Sequence, residues 1–281
     1  MGSEMCIRDR DIITPDGTIR YGKGEIVDTV TTDEAGLAES KPLYLGKYEI
    51  KEITAPYGMV LNTEIRTAEL VYAGQEIEIT ETAASFYNER QKAIVSLDKV
   101  LEQNAKFGIG MNGEITAVTF GLFAAEDLTA ADGSVIPADG LLEILSVDEN
   151  GHADCKTDLP LGSFYLKELS TDGHYILSDE KYPIMFEYAG QETALVEIKA
   201  NDGKPIDNDL IYGEIHGLKK DEDGNALGGA VIGLFKSDAE TFTTDTAILT
   251  ATSAEDGSFS FAGIPYGNWV VREIAAPTGF V

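Results

Sequence analysis

One stretch of this chain is written twice. Tyr72-Ala73-Gly74-Gln75-Glu76 returns as Tyr188-Ala189-Gly190-Gln191-Glu192, 116 residues later, and at the same interval Asp16-Gly17 meets Asp132-Gly133, Gly24 meets Gly140 and Glu52 meets Glu168. A repeat of that length is a whole small domain rather than a solenoid turn, so the chain is expected to fold as a row of similar domains. A more divergent third copy joins through Gly233-Leu234-Phe235, the counterpart of Gly121-Leu122-Phe123, and through Ile264-Pro265-Tyr266-Gly267, the counterpart of Leu159-Pro160-Leu161-Gly162. Boundaries fall near Arg90 and Leu210. By this internal standard residues 11–90 form a domain lacking its first strands, 91–210 a complete domain and 211–281 a domain lacking its last strands. Residues 1–10, MGSEMCIRDR, match nothing later; they read as a non-native vector or assembly scar and are set aside.

Within each copy, short runs rich in Val, Ile, Thr, Tyr and Phe alternate with Gly and Asp turn signals, and helical spacing is hard to find. With 11 Phe and 12 Tyr against 5 Met and 1 Trp, the composition also suits strands. The expected class is all-β, a tandem series of antiparallel sandwiches with compact linkers. A formal charge of −28 repels phosphate, so nucleic acid and anionic membrane surfaces are poor partners. Cys6 and Cys155 lie far apart in dissimilar contexts and indicate no disulfide framework. No apolar run approaches a membrane span, and no membrane insertion is expected of this segment.

Side chains alternate faces along a strand, so Phe164, Leu166 and Glu168 share one side of Leu159–Glu168. The same phase recurs in Tyr48-Ile50-Glu52 and in Trp269-Val271-Glu273. Three strands end an apolar row on Glu. A single such Glu is ordinarily solvated, because buried carboxylates are rare unless paired, but recurrence in phase calls for a partner. Copy two opens with Val95, Leu97 and Lys99 on one face and closes with Ile206, Asn208 and Leu210 on one face. Copy one has Phe86 and Asn88 in phase but no Lys, and copy three opens with Lys219 but has no Asn. Lys99 alone could be a snorkelling edge residue and Asn208 alone a turn amide. Together with Glu168 they form either a structural hydrogen-bonded triad or a reactive one. Burial disfavours charge, driving an amine toward its neutral, nucleophilic form and a neighbouring carboxylate toward its protonated form. Such an amine can attack the Asn carbonyl while the carboxyl handles protons; ammonia leaves and a Lys–Asn amide remains.

The runs Gly46–Gly58 (GKYEIKEITAPYG) and Gly267–Phe280 (GNWVVREIAAPTGF), with Lys219–Ala230 (KKDEDGNALGGA), resemble the Glu-box and the opening of collagen-adhesin B-type, CnaB-like domains. These prealbumin-like, Ig-like modules build pilin and adhesin stalks of Gram-positive surface proteins. The resemblance implies Lys99 as amine, Asn208 as amide acceptor and Glu168 as proton shuttle. Glu52 and Glu273 are its equivalents in the truncated copies, and Asn88 and Lys219 are cross-link half-sites. After its Glu, copy two reads Leu169-Ser170-Thr171-Asp172-Gly173 where the family has Ala-Pro-x-Gly, which alters a turn more than the triad. The implied role is a structural stalk or pilin segment, extracellular, cell-wall-attached or secreted. Its only chemistry is a single-turnover self-cross-linking, without cofactor. Partners would be neighbouring domains of the same surface protein, other pilin subunits or host extracellular matrix. A bond between first and last strands closes nearly a whole domain as a loop, and pulling force would bypass the core.

The rival class, a ligand-binding adhesin module without the cross-link, could use exposed aromatics such as Tyr165. Metal chemistry is disfavoured: His152, His174 and His216 lack ligand spacing, and Asp221-Glu222-Asp223-Gly224-Asn225 opens like a calcium loop but has Ile232 where the closing Glu belongs, so a β-turn is expected.

Overall fold

The computed structural model describes residues 2–7, 10–129 and 133–280. Among them the only helical segments are two 3-10 turns, Glu114–Ala117 and Ala200–Gly203; the rest is strand, turn and loop. The chain divides into two compact units. One comprises residues 1–94, 158–162 and 185–198, and the other residues 95–157, 163–184 and 199–281.

In the first unit β1 (Gly2–Ile7), β4 (Ile26–Thr31), β5 (Gly46–Thr54) and β6 (Ile65–Leu70) form a sheet ordered β4-β1-β5-β6, with a small hairpin of β2 (Ile12–Ile13) and β3 (Ile19–Tyr21). The inner face carries Ile7, Val27 and Tyr48, with Ile12 packed onto them. The expectation that residues 1–10 stand outside the fold is corrected for Gly2–Ile7, which occupy the middle of this sheet. Their register has a physical cause. The repeat interval would set Cys6 against Ile50, yet Met5 pairs with Ile50 and Ile7 with Tyr48. A one-residue slip exchanges the two faces of a strand. Here it turns Ser3, Met5 and Ile7 inward and leaves Glu4 to meet the Lys51 ammonium at 3.2 Å.

The middle copy is built from β7 (Lys92–Leu101), β8 (Thr119–Ala124), the hairpin β9 (Leu128–Thr129) and β10 (Val135–Ile136), β11 (Leu141–Ser146), β12 (His152–Asp154), β13 (Gly162–Ser170), β14 (Lys181–Phe186), β15 (Leu195–Lys199) and β16 (Ile206–Asn208), most of which belong to the second unit. Its sheets are ordered β11-β8-β13-β14 and β12-β7-β15, with β16 running parallel to β7. Val95 and Leu97 from β7, Phe120 and Leu122 from β8, Phe164 and Leu166 from β13 and Ile206 from β16 are all almost wholly buried, as their alternation demands. The third copy follows as β17 (Tyr212–Leu218), β18 (Val231–Lys236), β19 (Leu249–Thr252), β20 (Ser258–Pro265) and β21 (Trp269–Ala275), paired as β17-β20 and β19-β18-β21.

The Gly-Leu-Phe motif that links copies two and three has a steric origin. A Cβ on Gly121 would sit 2.5 Å from the ring of Phe123, and one on Gly233 would sit 2.6 Å from that of Phe235. In each copy the Phe folds back over the glycine two residues before it, and only hydrogen leaves room. Copies two and three also share one core. Phe107, Ile109, Tyr175 and Leu210 pack with Ala230, Ile232, Leu234, Phe261 and Ile264, and Phe107 meets Trp269 edge-on at 5.0 Å between centroids.

Gly151 places β7. Its φ of +85° closes the turn begun at Asp148, whose Oδ1 accepts from the backbone N–H groups of Asn150 and His152, and its carbonyl accepts from the N–H of Lys99 at 2.6 Å. A Cβ there would lie 2.2 Å from the Lys99 carbonyl oxygen. Gly151→Ala is therefore expected to cost about 2 kcal/mol or more in chemical denaturation, from left-handed strain plus the backbone collision. Gly173→Ala, with no atom within 4 Å of its added Cβ, should be nearly neutral in the same assay.

Candidate functional site

Three polar side chains meet inside the middle copy. Lys99 is 2% exposed, Glu168 2% and Asn208 3%, each the continuation of the apolar row on its own strand. Lys99 follows Val95 and Leu97 on β7; Glu168 follows Phe164 and Leu166 on β13; Asn208 follows Ile206 on β16. The parallel pairing of β16 with β7 sets Ile206 opposite Lys99 and so brings the Asn208 amide beside the lysine tip.

The Lys99 Nζ donates to the Asn208 Oδ1 at 2.8 Å, to the Val100 carbonyl at 3.0 Å and to the Ile206 carbonyl at 3.1 Å. The Asn208 Nδ2 donates to Glu168 Oε1 at 2.9 Å, to Oε2 at 3.0 Å and to Thr171 Oγ1 at 3.2 Å. Glu168 Oε2 also accepts from the backbone N–H of Ser178 at 2.8 Å. The amide thus bridges amine and carboxyl, its oxygen toward the one and its nitrogen on the other. Burial pulls the Lys99 amine down to about 8, against the upward pull of Glu168 and Asp207. Ser178 and Thr171 escape a reading based on strand phase because they lie in the turn beyond β13. Asn62 holds the same place 116 residues earlier and donates its backbone N–H to Glu52 in the same way.

The two other copies each bring together part of this set. In the first unit Glu52, 4% exposed, accepts at Oε2 from Asn88 Nδ2 and from the backbone N–H of Asn62, both at 2.7 Å. In the third copy Lys219 Nζ donates to Glu273 Oε2 at 2.9 Å, with the two side chains 27% and 34% exposed. The inward row expected of Trp269, Val271 and Glu273 is corrected here. Trp269 is half-buried, but Val271 and Glu273 are open, because among the described residues no closing strand covers that face.

Tyr165 is likewise corrected as an exposed aromatic. It is 8% exposed, stacked on Phe123 at 5.1 Å and capped by the Lys181 ammonium 4.0 Å from its ring centre, while its hydroxyl donates to Asp139. Asp221 forms a turn, its Oδ1 accepting from the N–H groups of Asp223 and Asn225. Among the described residues no group of His, Cys, Asp and Glu could hold a metal ion, and no helix is long and apolar enough to cross a membrane. Cys155 is buried with its thiol pushed up to about 12, by burial and then by Glu143.

Repeated sandwiches with an inward Lys, Glu and Asn invite comparison with known proteins. A family profile described as SpaA, prealbumin-like fold domain, matches residues 11–83 and 213–281, just over half of the 281 residues. The chain belongs to this family. The matched stretches are the first and third copies, and the middle copy joins them through the 116-residue repeat. Among individual relatives of this prealbumin-like chain, the trypsin-resistant surface T6 protein of Streptococcus pyogenes is 35% identical over 78 residues, 27% of this chain and 14% of that protein. The Bacillus anthracis TIE protein shares the fold, with a TM-score of 0.61 at 20% identity over 98% of this chain and 42% of that one. BcpA, the major pilin subunit of Bacillus cereus, aligns at a TM-score of 0.33 and 15% identity over 98% of this chain and 83% of that one. The chain therefore spans 14% of the T6 protein and 42% of the TIE protein.

Proposed function

We propose that this chain is a structural segment of a bacterial surface stalk or pilin whose middle domain is braced by a self-made isopeptide bond between Lys99 and Asn208. The observation that carries the proposal is the buried chain of contacts from the Lys99 amine through the Asn208 amide to the Glu168 carboxyl. Three acceptors around Nζ use all three donors of an ammonium. Loss of one proton leaves two donors for the Val100 and Ile206 carbonyls and frees a lone pair toward the amide. That lone pair attacks Asn208 Cγ. The Nζ–Cγ bond forms, the Cγ–Nδ2 bond breaks, and the Glu168 carboxyl takes a proton from Nζ and supplies one to Nδ2, which departs as ammonia. The carboxyl ends as it began, so the event occurs once per domain and turns over no external substrate.

A stalk role fits this chemistry. The linked residues lie 109 apart in sequence, on the first and last strands of the domain, so tension applied at its ends runs through the new amide rather than through the core. The core shared by copies two and three stiffens the join between those two domains. The trypsin resistance and surface location in the T6 protein's name suit such a construction, and we extend an extracellular location, with neighbouring domains and other pilin subunits as partners, to this chain.

The intact mass of the purified protein tests the proposal. A mass lower by one ammonia, with tryptic peptides of Lys99 and Asn208 joined, is the expected result. An unmodified mass from folded protein would leave a hydrogen-bonded triad and favour a ligand-binding module.

A further inference from the structure

The residue after β7 grips the chain that leaves β16 at alternate positions, 208, 210 and 212. The backbone N–H of Glu102 donates to the Asn208 carbonyl at 3.0 Å, one step beyond the last paired residues of β7 and β16, Leu101 and Asn208. The Glu102 carboxylate then accepts from the backbone N–H of Leu210 at 2.8 Å and from the Tyr212 hydroxyl at 2.6 Å. Its carbonyl accepts from the Tyr175 hydroxyl at 3.0 Å. Tyr212 and then Leu210 hold the Glu102 carboxyl below the usual glutamate range, so it is ionised near neutral pH. Neither partner of that carboxylate is a triad residue.

The segment that Glu102 fixes is stitched to the turn beyond β13. Ile176 N–H donates to the Asp209 carbonyl at 2.9 Å, Ile211 N–H donates to the His174 carbonyl at 2.8 Å, and Tyr175 lies opposite Leu210 in an antiparallel bridge. The same turn meets the triad at both of its ends: Thr171 Oγ1 accepts from Asn208 Nδ2 at 3.2 Å, and Ser178 N–H donates to Glu168 Oε2 at 2.8 Å. Tyr175 and Leu210 belong to the buried cluster shared with copy three, so this stitching is anchored in packed side chains.

We infer that Glu102 is a positioning residue for the Lys99–Asn208 cross-link: by fixing Leu210 and Tyr212 it sets the end of the last strand and the turn Thr171–Ser178, and so keeps the Asn208 amide between amine and carboxyl. The inference rests on the chemistry proposed for the middle copy and adds a dependence on the next domain, because Tyr212 is the first residue of β17. Removing the carboxylate leaves the Leu210 N–H without its acceptor on a residue that is 2% exposed. The end of β16 then loosens, and a misplacement of about 1 Å at a reacting group costs about a hundredfold in rate.

The test follows loss of ammonia by mass after full-length denatured protein is diluted into native buffer. Glu102→Ala should link at least about tenfold more slowly than the unsubstituted chain. Glu102→Gln offers an amide oxygen to Leu210 and an N–H to the Tyr212 hydroxyl, so it should link within about threefold of the unsubstituted rate, with the same pH midpoint. A Glu102→Gln protein as slow as Glu102→Ala, or one with a displaced midpoint, would make the effect one of charge and overturn the inference. Leu128→Ala, destabilised at a buried site on none of the triad strands, should link at the unsubstituted rate; slowing there equal to that of Glu102→Ala overturns the inference as well. Should Glu102→Ala fail to fold, Tyr212→Phe removes one of the two carboxylate partners and should slow linking at least about threefold, and an unchanged rate counts against Glu102. Where the unsubstituted protein folds and stays unlinked, the shared chemistry has failed, and hydrogen exchange of the Asn208 side-chain amide, read by nitrogen-15 NMR, decides the positioning. Exchange at least about tenfold faster in Glu102→Ala and restored in Glu102→Gln retains it, and exchange indifferent to both overturns it.

Discussion

Glu168→Ala protein is expected to keep its ammonia and its separate Lys99 and Asn208 peptides. Two effects then destabilise the domain. A link between residues 109 apart removes loop freedom from the unfolded chain, and by the loop-entropy relation for cross-links its absence costs about 4–5 kcal/mol. The substitution also strips the Asn208 amide and the Ser178 N–H of their acceptor inside a site that is 2–3% exposed, which adds to the loss. Together these predict a fall in Tm on the order of 10 °C or more. Glu168→Gln separates the two effects: it preserves the volume and one amide acceptor but cannot relay a proton, so the link should be absent while the destabilisation is smaller. A cross-linked Glu168→Ala protein would remove the carboxyl from the chemistry.

The second large effect is on rate. An amine brought down to about 8 is mostly ammonium at pH 6 and about half neutral at pH 8. If attack requires the neutral form, bond formation should accelerate roughly fiftyfold between pH 6 and 8, then gain no more than about twofold at higher pH. The sign follows from the cause, because burial favours the uncharged amine and rising pH supplies it. Protein recovered unfolded in denaturant and diluted into buffers of graded pH, with mass sampled over time, reads the profile directly. A rate independent of pH across that range would locate the limiting step elsewhere, in folding or in release of ammonia.

Much of the site was legible because strand alternation fixes a face residue by residue. Val95, Leu97 and Lys99, Phe164, Leu166 and Glu168, and Ile206 and Asn208 all lie on the side their phase assigns, and a polar residue ending three apolar rows was readable before any geometry. Alternation says nothing about what covers a face. Tyr165 points outward from β13 yet is buried, because Phe123 stacks on it and Lys181 closes over it. Val271 and Glu273 keep the inward phase yet stay open, since among the described residues no strand covers that face. Gly2–Ile7 were unreadable for a different reason. Their sequence matches no other copy, and their place in the sheet depends on a slip that trades repeat register for apolar burial. The turn partners of the triad, Thr171 and Ser178, are found through contacts that cross the sequence and leave no local pattern.

The core shared by copies two and three governs how these two domains move against each other. Leu210 is 2% exposed and, at the boundary between the two copies, belongs to the same buried cluster as Tyr175, Ala230 and Phe261. A joint of this kind is a splint rather than a hinge. Bending there must first expose the Phe107–Trp269 contact and the aliphatic side chains beneath it to water, so small sideways loads meet elastic resistance from packed side chains. Orientation set at one domain is thereby handed on to the next, and the direction in which copy three faces is dictated by the apolar residues of copy two.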